Sequence, residues 1–389
     1  MDITIYPREL RGEINIIPSK SQAHRLLICA ALADKPTQLR CTDTNRDIEA
    51  TADCLRALGA EITRTDIGYL VQPIEKLPET AILNCCESGS TLRFMLPIAG
   101  ALGVDAVFQM AGRLPQRPLS PMWEEMERMG CTLTRPTADT IRCKGQLQPG
   151  NYQIDGGVSS QFITGLLFAL SLIPGESHLE VTGKVESKPY IDMTKEAMSL
   201  FDAPNYHSPG MITVEGDWSN GAFFVTAAQL GSYLTIHGLN SKSIQGDRAV
   251  LDITAKLHTG CATVSAADIP DLVPILSVMA AANQGAVFTN IQRLRIKESD
   301  RVTSTIAMIE ALGGKAESTV DTLTVYGTGL TGGTVDAVND HRIAMAAAIA
   351  ATVCSSPVTI LGAQAVNKSY PRFWEEYRRL GGQYEQYLR

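Results

Sequence analysis

The chain has 389 residues, more than one ordinary core accommodates, so two domains are expected. Its formal charge is -7, with 19% charged and 44% hydrophobic residues, which excludes a disordered chain. No basic stripe accompanies that charge, so nucleic acid is not an expected partner, and any bound anion must be met by local clusters of cations.

Residues 162–174 form the longest nearly apolar run, well short of the roughly 20 residues that cross a bilayer, so no membrane partner is expected. The opening MDITIYPREL lacks a basic region followed by an apolar stretch, and no signal peptide is expected. Nine scattered cysteines without a C-x-x-C pair suit reduced thiols and a cytoplasmic location. The six histidines never fall at a metal-ligand spacing, so no metal is expected.

Taken in chain order, the segments that open predicted helices carry cations and small polar residues. Pro18-Ser19-Lys20-Ser21 opens a helix that includes Arg25, and Ser21 and Arg25, four apart, share a face. Ser88-Gly89-Ser90 opens the next, with Arg93 in its first turn. Ser159-Ser160-Gln161 opens FITGLLFALSL. A stretch rich in Gly, Ser and Asn over residues 210–222 approaches a domain boundary. Ile269-Pro270-Asp271 precedes the apolar helix LVPILSVMAAA. Lys297-Glu298-Ser299-Asp300-Arg301 and Asn339-Asp340-His341-Arg342 each open another. A helix N-terminus carries partial positive charge and unpaired N–H donors, so a cation there costs free energy unless an anion lies there too. Any one of these cations alone reads as a solvated surface charge. Four or five such starts in an acidic chain point to a converging site for phosphates or carboxylates. Neither G-x-x-x-x-G-K-[ST] nor a G-x-G-x-x-G after a strand is present, so the expected ligands are phosphorylated small molecules rather than nucleotides.

Between these starts one pattern recurs: the end of an amphipathic helix, a Gly, then a short strand. It reads as LRALGAEITR (residues 55–64), MERMGCTLTR (126–135), LHTGCATV (257–264), IEALGGKAES (309–318) and YRRLGGQYEQ (377–386), with a degenerate copy, MSLFDAPNYH, at 198–207. The Gly suits a helix C-terminus in the left-handed conformation. Three copies before and three after about residue 230, with strands such as YLTIHGL, AVFTNI, TLTVYG and PVTILG between them, predict an α/β (α+β) fold of two similar domains with three repeated units each. Two acids are candidates for proton transfer, Asp271 and Glu298. Their plainer readings are a helix N-cap and a surface ion-pair partner.

The motifs named above, together with Gln116-Arg117-Pro118, Val158-Ser159-Ser160-Gln161-Phe162, Ser187-Lys188-Pro189-Tyr190-Ile191-Asp192, Arg295-Ile296-Lys297 and Lys368-Ser369-Tyr370-Pro371, resemble the 5-enolpyruvylshikimate-3-phosphate synthase family in order from residue 18 to residue 371. The resemblance implies an inside-out, barrel-like α/β architecture of βαβαββ-type units. It implies one domain from residues 1–14 plus 230–389, a second from 15–229, and an active site in the cleft between them. It also implies transfer of the enolpyruvyl group of phosphoenolpyruvate to the 5-hydroxyl of shikimate 3-phosphate, through a tetrahedral intermediate, with no metal and no organic cofactor. By the same resemblance Lys20, Ser21, Arg25, Ser159, Ser160, Gln161, Ser187, Asp271 and Lys297 hold shikimate 3-phosphate. Lys20, Gly89, Arg117, Gln161, Arg301, Arg342 and Lys368 hold phosphoenolpyruvate. Asp271 is the base for the hydroxyl, Glu298 the proton donor to carbon 3, and Lys20 and His341 assist.

The chain departs from the common family pattern at Glu87, Ser88, Phe94, His24 and Arg293. An extra carboxylate at Glu87 suits an anion site only if it is paired or turned away. The sister enzyme that acts on a UDP-linked amino sugar usually has a reactive Cys in a loop that here, over residues 112–125, has none. A catalytically silent phospholigand binder would have lost acids or cations of this set, and none is missing. No coiled-coil seam is visible, and a monomer is expected.

Overall fold

Helices form at each of the starts read from the sequence, and a side chain caps every one of them except the start of the apolar helix after Asp271. The computed structural model describes residues 1–387. Contacts divide the chain into an inserted unit, Pro18–Glu215, and a discontinuous unit, Met1–Ile17 with Gly216–Arg389. The inserted unit holds α1 (Lys20–Ala31), α2 (Arg46–Ala57), α3 (Gly89–Leu102), α4 (Met122–Arg128), α5 (Ser160–Leu170) and α6 (Lys188–Leu200). The discontinuous unit holds α7 (Trp218–Gln229), α8 (Val250–Thr259), α9 (Val273–Ala282), α10 (Arg301–Ala311), α11 (His341–Ala350) and α12 (Phe373–Arg379). The second crossing falls before α7 rather than near residue 230, because α7 buries Phe223, Phe224 and Ala227 in the core of the discontinuous unit.

In each unit helices form the interior and sheets the outside. α11 is buried along its whole length and α9 nearly so, whereas α8 buries one face only. In the inserted unit α1, α3 and α5 take the inner positions, with Leu26, Leu27, Phe94, Leu96, Phe162 and Phe168 in its separate core. Strands such as Thr80–Asn84 alternate exposed and buried residues, the mark of a sheet with one face packed on helices and one in water.

Six sheets form among the described residues, and each contains a parallel pair. Four of them add antiparallel strands, three as a hairpin and the fourth by pairing Asp2–Tyr6 from one end of the chain with Gln383–Tyr387 from the other. In one, Ala262–Ser265 pairs in parallel with Ala286–Thr289, which continues into Thr322–Tyr326 and Lys315–Ser318. The other two stop at the parallel pair: Asn151–Asp155 with His178–Thr182 in the inserted unit, and Arg11–Asn15 with Tyr233–His237 in the discontinuous one. No sheet closes on itself among the described residues.

The repeat explains which sheets are full. Gly59, Gly130, Gly313 and Gly381 all have positive φ at a helix end, and each leads into the outer strand of a four-stranded sheet. Gly260 in LHTGCATV is extended instead (φ 177), and the strand after it opens a new parallel pair. That copy therefore lacks its hairpin. The degenerate copy at residues 198–207 lacks one too, because the next strand, Met211–Thr213, pairs with Thr37–Arg40.

Candidate active site

In the inserted unit the starts of five helices come together. Ser19 caps α1 by accepting from Gln22 N, and the next residue, Lys20, reaches Asp47 in the first turn of α2, Nζ to Oδ2 2.9 Å. Both side chains of that pair are 15% exposed. Ser21 follows Lys20 in the first turn of α1.

One turn on, Arg25 is 3% exposed. Its Nε donates to Thr194 Oγ1 (2.9 Å), Nη1 to Ser21 O (2.6 Å), and Nη2 to Tyr190 O (2.8 Å) and Thr164 Oγ1 (3.4 Å). The guanidinium also lies over Phe94. Arg25 thus binds α1 to α5 and α6, and few of its five donors remain for a ligand. Burial pulls its pKa down to about 10, which leaves it charged at neutral pH. His24 beside it is fully buried, with Nδ1 2.7 Å from Thr51 Oγ1. Burial, then the Lys20 and Arg25 charges, hold it well below its ordinary value and therefore neutral.

α3 starts at Gly89 behind the cap Ser88, whose side chain accepts from Thr91 N. A Cβ on Gly89 would lie 2.6 Å from Arg117 Nη1 and 2.8 Å from Arg93 Nη1, so two guanidiniums occupy the space that glycine leaves open. Arg93 donates to Pro118 O at 2.9 Å, which ties α3 to the segment carrying Arg117. Glu87 packs its carboxylate against Gly112, just upstream of that segment. α5 and α3 pack closely because residue 165 is glycine: a Cβ there would lie 2.1 Å from Arg93 O. The approach brings Gln161 Nε2 to 3.0 Å from Ser90 Oγ, next to the cap Ser159 and the buried Ser160. Ser187, the residue before α6, is 2% exposed and has φ 55 with no capping bond from its side chain. A left-handed serine is held against its preference, which is common where a side chain must face a ligand.

The discontinuous unit gathers the acids. Arg301, the first residue of α10, is 1% exposed. Its Nη1 donates to Asp271 Oδ1 at 2.6 Å, Nη2 to Glu298 Oε2 at 2.5 Å, and Nε to Asp340 Oδ2 at 2.9 Å. Asp340 also caps α11, accepting from Arg342 N (3.0 Å), and accepts from Ser299 Oγ (2.9 Å). Arg342 Nη2 reaches Asp271 Oδ2 at 3.0 Å. Lys297 Nζ stands 4.0 Å from Asp271 Oδ1. Lys368 is 7% exposed and donates to Asn339 O at 2.7 Å, beside the start of α11 and His341. Asp271 is not a helix cap, since its carboxylate is engaged by two arginines and α9 begins behind Leu272.

Burial by itself would raise the Asp271 pKa. Arg342, Lys297 and Arg301 together outweigh it and hold the carboxyl well below the usual carboxylate range, hence ionised. Lys297 is pushed down to about 8 by burial and by the charges of Arg293 and Arg301, against the pull of Asp271 and Glu298. Arg301 is raised: Asp340, Glu298 and Asp271 more than offset its burial.

Within the inserted unit the structure brings together Lys20, Ser21, Arg25, Gly89, Arg117, Ser159, Ser160, Gln161 and Ser187. Within the discontinuous unit it brings together Asp271, Lys297, Glu298, Arg301, His341, Arg342 and Lys368. Sequence reading missed the acids behind the cations, Asp47 and Asp340. Asp340 was visible as a residue of its motif, but nothing in the order of residues paired it with Arg301.

A family model described as EPSP synthase (3-phosphoshikimate 1-carboxyvinyltransferase) matches residues 6–377. A 3-phosphoshikimate 1-carboxyvinyltransferase of Clostridium kluyveri is 35% identical over 99% of this chain and 98% of its own. One of Clostridium novyi is 38% identical over 98% of each. The first alignment spans 419 positions against 389 residues here, so it contains gaps. Among solved structures, EPSP synthase of Acinetobacter baumannii superposes with TM-score 0.79 at 21% identity over 99% of this chain and 100% of its own. The enolpyruvyl transferase NikO of Streptomyces tendae gives 0.71 at 17% identity over 99% and 98%. These two likenesses concern the fold.

Proposed function

The chain belongs to the EPSP synthase family, the 3-phosphoshikimate 1-carboxyvinyltransferases, and from that premise we propose how its residues perform the transfer. The enolpyruvyl group of phosphoenolpyruvate moves to the 5-hydroxyl of shikimate 3-phosphate, and phosphate leaves. The observation that carries the reading is the Arg301 guanidinium, which holds Asp271 and Glu298 at 2.6 and 2.5 Å, so two acids are presented from one buried charge.

Asp271, ionised, takes the proton of the 5-hydroxyl as the oxygen attacks carbon 2 of phosphoenolpyruvate. Glu298 delivers a proton to carbon 3, giving the tetrahedral intermediate. In the second step carbon 3 returns its proton to Glu298, the bond from carbon 2 to the phosphate oxygen breaks with its electron pair, and the proton held by Asp271 passes to the departing phosphate. Glu298 must be protonated to act first. Arg301 Nη2 pairs with Glu298 Oε2, and an anion bound at Arg301 competes for that pairing. Arg342, Arg117, Lys368, Lys20 and the Gly89 backbone receive the phosphate and carboxylate of phosphoenolpyruvate. Ser21, Ser159, Ser160, Gln161, Ser187 and Lys297 receive shikimate 3-phosphate, and Arg25 orients three helix starts around it. The preorganised cations stabilise charge that develops on the leaving phosphate.

The enzyme works as a cytoplasmic monomer without metal or organic cofactor in this reading. Its nine free cysteines, most of them buried, suit a reducing compartment. Cys131, the cysteine nearest the loop where the sister enzyme has a reactive one, is buried in a strand. The test is phosphate release from phosphoenolpyruvate in metal-free buffer with shikimate 3-phosphate or, separately, the UDP-amino sugar as acceptor. Release with shikimate 3-phosphate alone is expected. Release only with the nucleotide sugar would overturn the acceptor.

A further inference from the structure

Behind the acids of the discontinuous unit lies a clasp that the reaction scheme leaves unused. Gln245 and Asp247, in and beside the short turn Gly246–Ala249, grip the start of α7. Gln245 Oε1 accepts from Trp218 N at 3.0 Å, and its Nε2 donates to Gly216 O at 2.9 Å. Asp247 Oδ2 accepts from Ser219 Oγ. Capping α7 does not require Asp247, because Asp217 already accepts from Asn220 N at 2.8 Å. Asp247 is nonetheless 2% exposed, and its Oδ1 is buried with no hydrogen-bond partner. A buried carboxyl half satisfied is costly, and it calls for a return elsewhere.

The return lies one step on. The carbonyl of Ser219, the residue whose hydroxyl Asp247 holds, accepts from Arg342 Nη1 at 3.5 Å, and Arg342 Nη2 reaches Asp271 at 3.0 Å. We propose that Asp247 is a positioning residue for the transfer: through Ser219 it fixes the carbonyl that aims the Arg342 guanidinium, and thereby the anion contact Arg342 makes. Asp247 touches neither substrate in this scheme. The groups that act on it are Asp217 and Ser219 at the start of α7, Asp271 before α9 and Arg342 in α11. Burial, then the charge of Asp271, push its carboxyl up to about 7 against Arg342 and the Ser219 bond, with Asp217 adding to the rise. Much of it is therefore neutral at pH 7. An amide, uncharged and able to accept from Ser219, is accordingly its conservative replacement.

The inference rests on the reading that Arg342 binds phosphoenolpyruvate, and the experiment separates the two. Steady-state constants are measured for the wild type, Asp247→Ala, Asp247→Asn and Ser219→Ala, with circular dichroism to verify folding. Asp247→Ala is expected to raise KM for phosphoenolpyruvate about tenfold or more while KM for shikimate 3-phosphate stays within about twofold. Asp247→Asn recovers most of that loss, which a merely space-filling role would not require. A folded Asp247→Ala enzyme with wild-type KM for phosphoenolpyruvate overturns the proposal. Should that variant not fold, Ser219→Ala keeps the carbonyl and loses only the tie, and it must raise the same constant about threefold or more. Wild-type values there overturn the proposal equally. An inactive wild type would fell the functional reading and this inference with it, whereas an active wild type with unaltered variants fells this inference alone.

Discussion

Arg301 Nε lies 2.9 Å from Asp340 Oδ2, with the two side chains 1% and 0% exposed. An ion pair so buried is sustained only because each partner satisfies the other and because Asp340 has further donors in Ser299 and the start of α11. Removing one partner strands the other. Asp340→Ala is expected to destabilise the discontinuous unit by about 3–5 kcal/mol, read as a lowered urea midpoint. An unchanged midpoint would show that water already screens the pair.

Asp271→Asn keeps a polar side chain between Arg301 and Arg342 but removes the base and its charge. Turnover should fall by about two to four orders of magnitude. KM for phosphoenolpyruvate should hold or drop, since the two arginines lose a competing carboxylate. Steady-state kinetics with a direct binding titration test this, and surviving turnover would remove Asp271 from its role.

Lys297 gives the site a pH dependence whose sign can be stated. Its pKa in the unliganded protein is about 8, so it is charged below that value and neutral above it. An anionic substrate needs the charged form. KM for shikimate 3-phosphate should be flat below about pH 7 and climb above about pH 8, approaching tenfold per pH unit. Lys297→Met should show a raised KM with that limb gone. A limb of equal steepness in the variant would assign it to another group.

Ser187 is held left-handed at φ 55, a conformation that costs a residue with a Cβ roughly 1–2 kcal/mol. Ser187→Gly should therefore raise thermal stability, by up to about 1 kcal/mol after the entropy of glycine is counted. The lost hydroxyl should weaken shikimate 3-phosphate by about tenfold. A gain in stability with unchanged affinity would leave Ser187 a strained turn and nothing more.

Much of the site was legible because helix starts obey local rules. Ser19, Ser88, Ser159 and Asp340 all cap as their sequences imply, and the cations beside them stand where an anion would neutralise them. What stayed hidden depends on long-range partners. Arg25 reads as a ligand from its place four residues after Ser21, yet most of its donors go to Thr194, Tyr190 and Thr164, far along the chain. Asp47 looks like an ordinary first-turn acid until Lys20 is folded onto it. The repeat was legible through its left-handed glycines. It misled at LHTGCATV because residue letters do not reveal that Gly260 is extended.

The two sheets that stop at a parallel pair have a consequence for what such a chain can lose. Apart from Arg25 inside α1, every residue assigned a role in transfer sits at a helix start, in a short turn or in a loop, and none on a strand. The sheets are cladding over a helical interior that aims those starts. A hairpin can therefore be dispensed with in each unit while the chemistry stays as it was, so the length of a relative is a poor ruler of its catalytic competence. The positions of its helix caps are the better one.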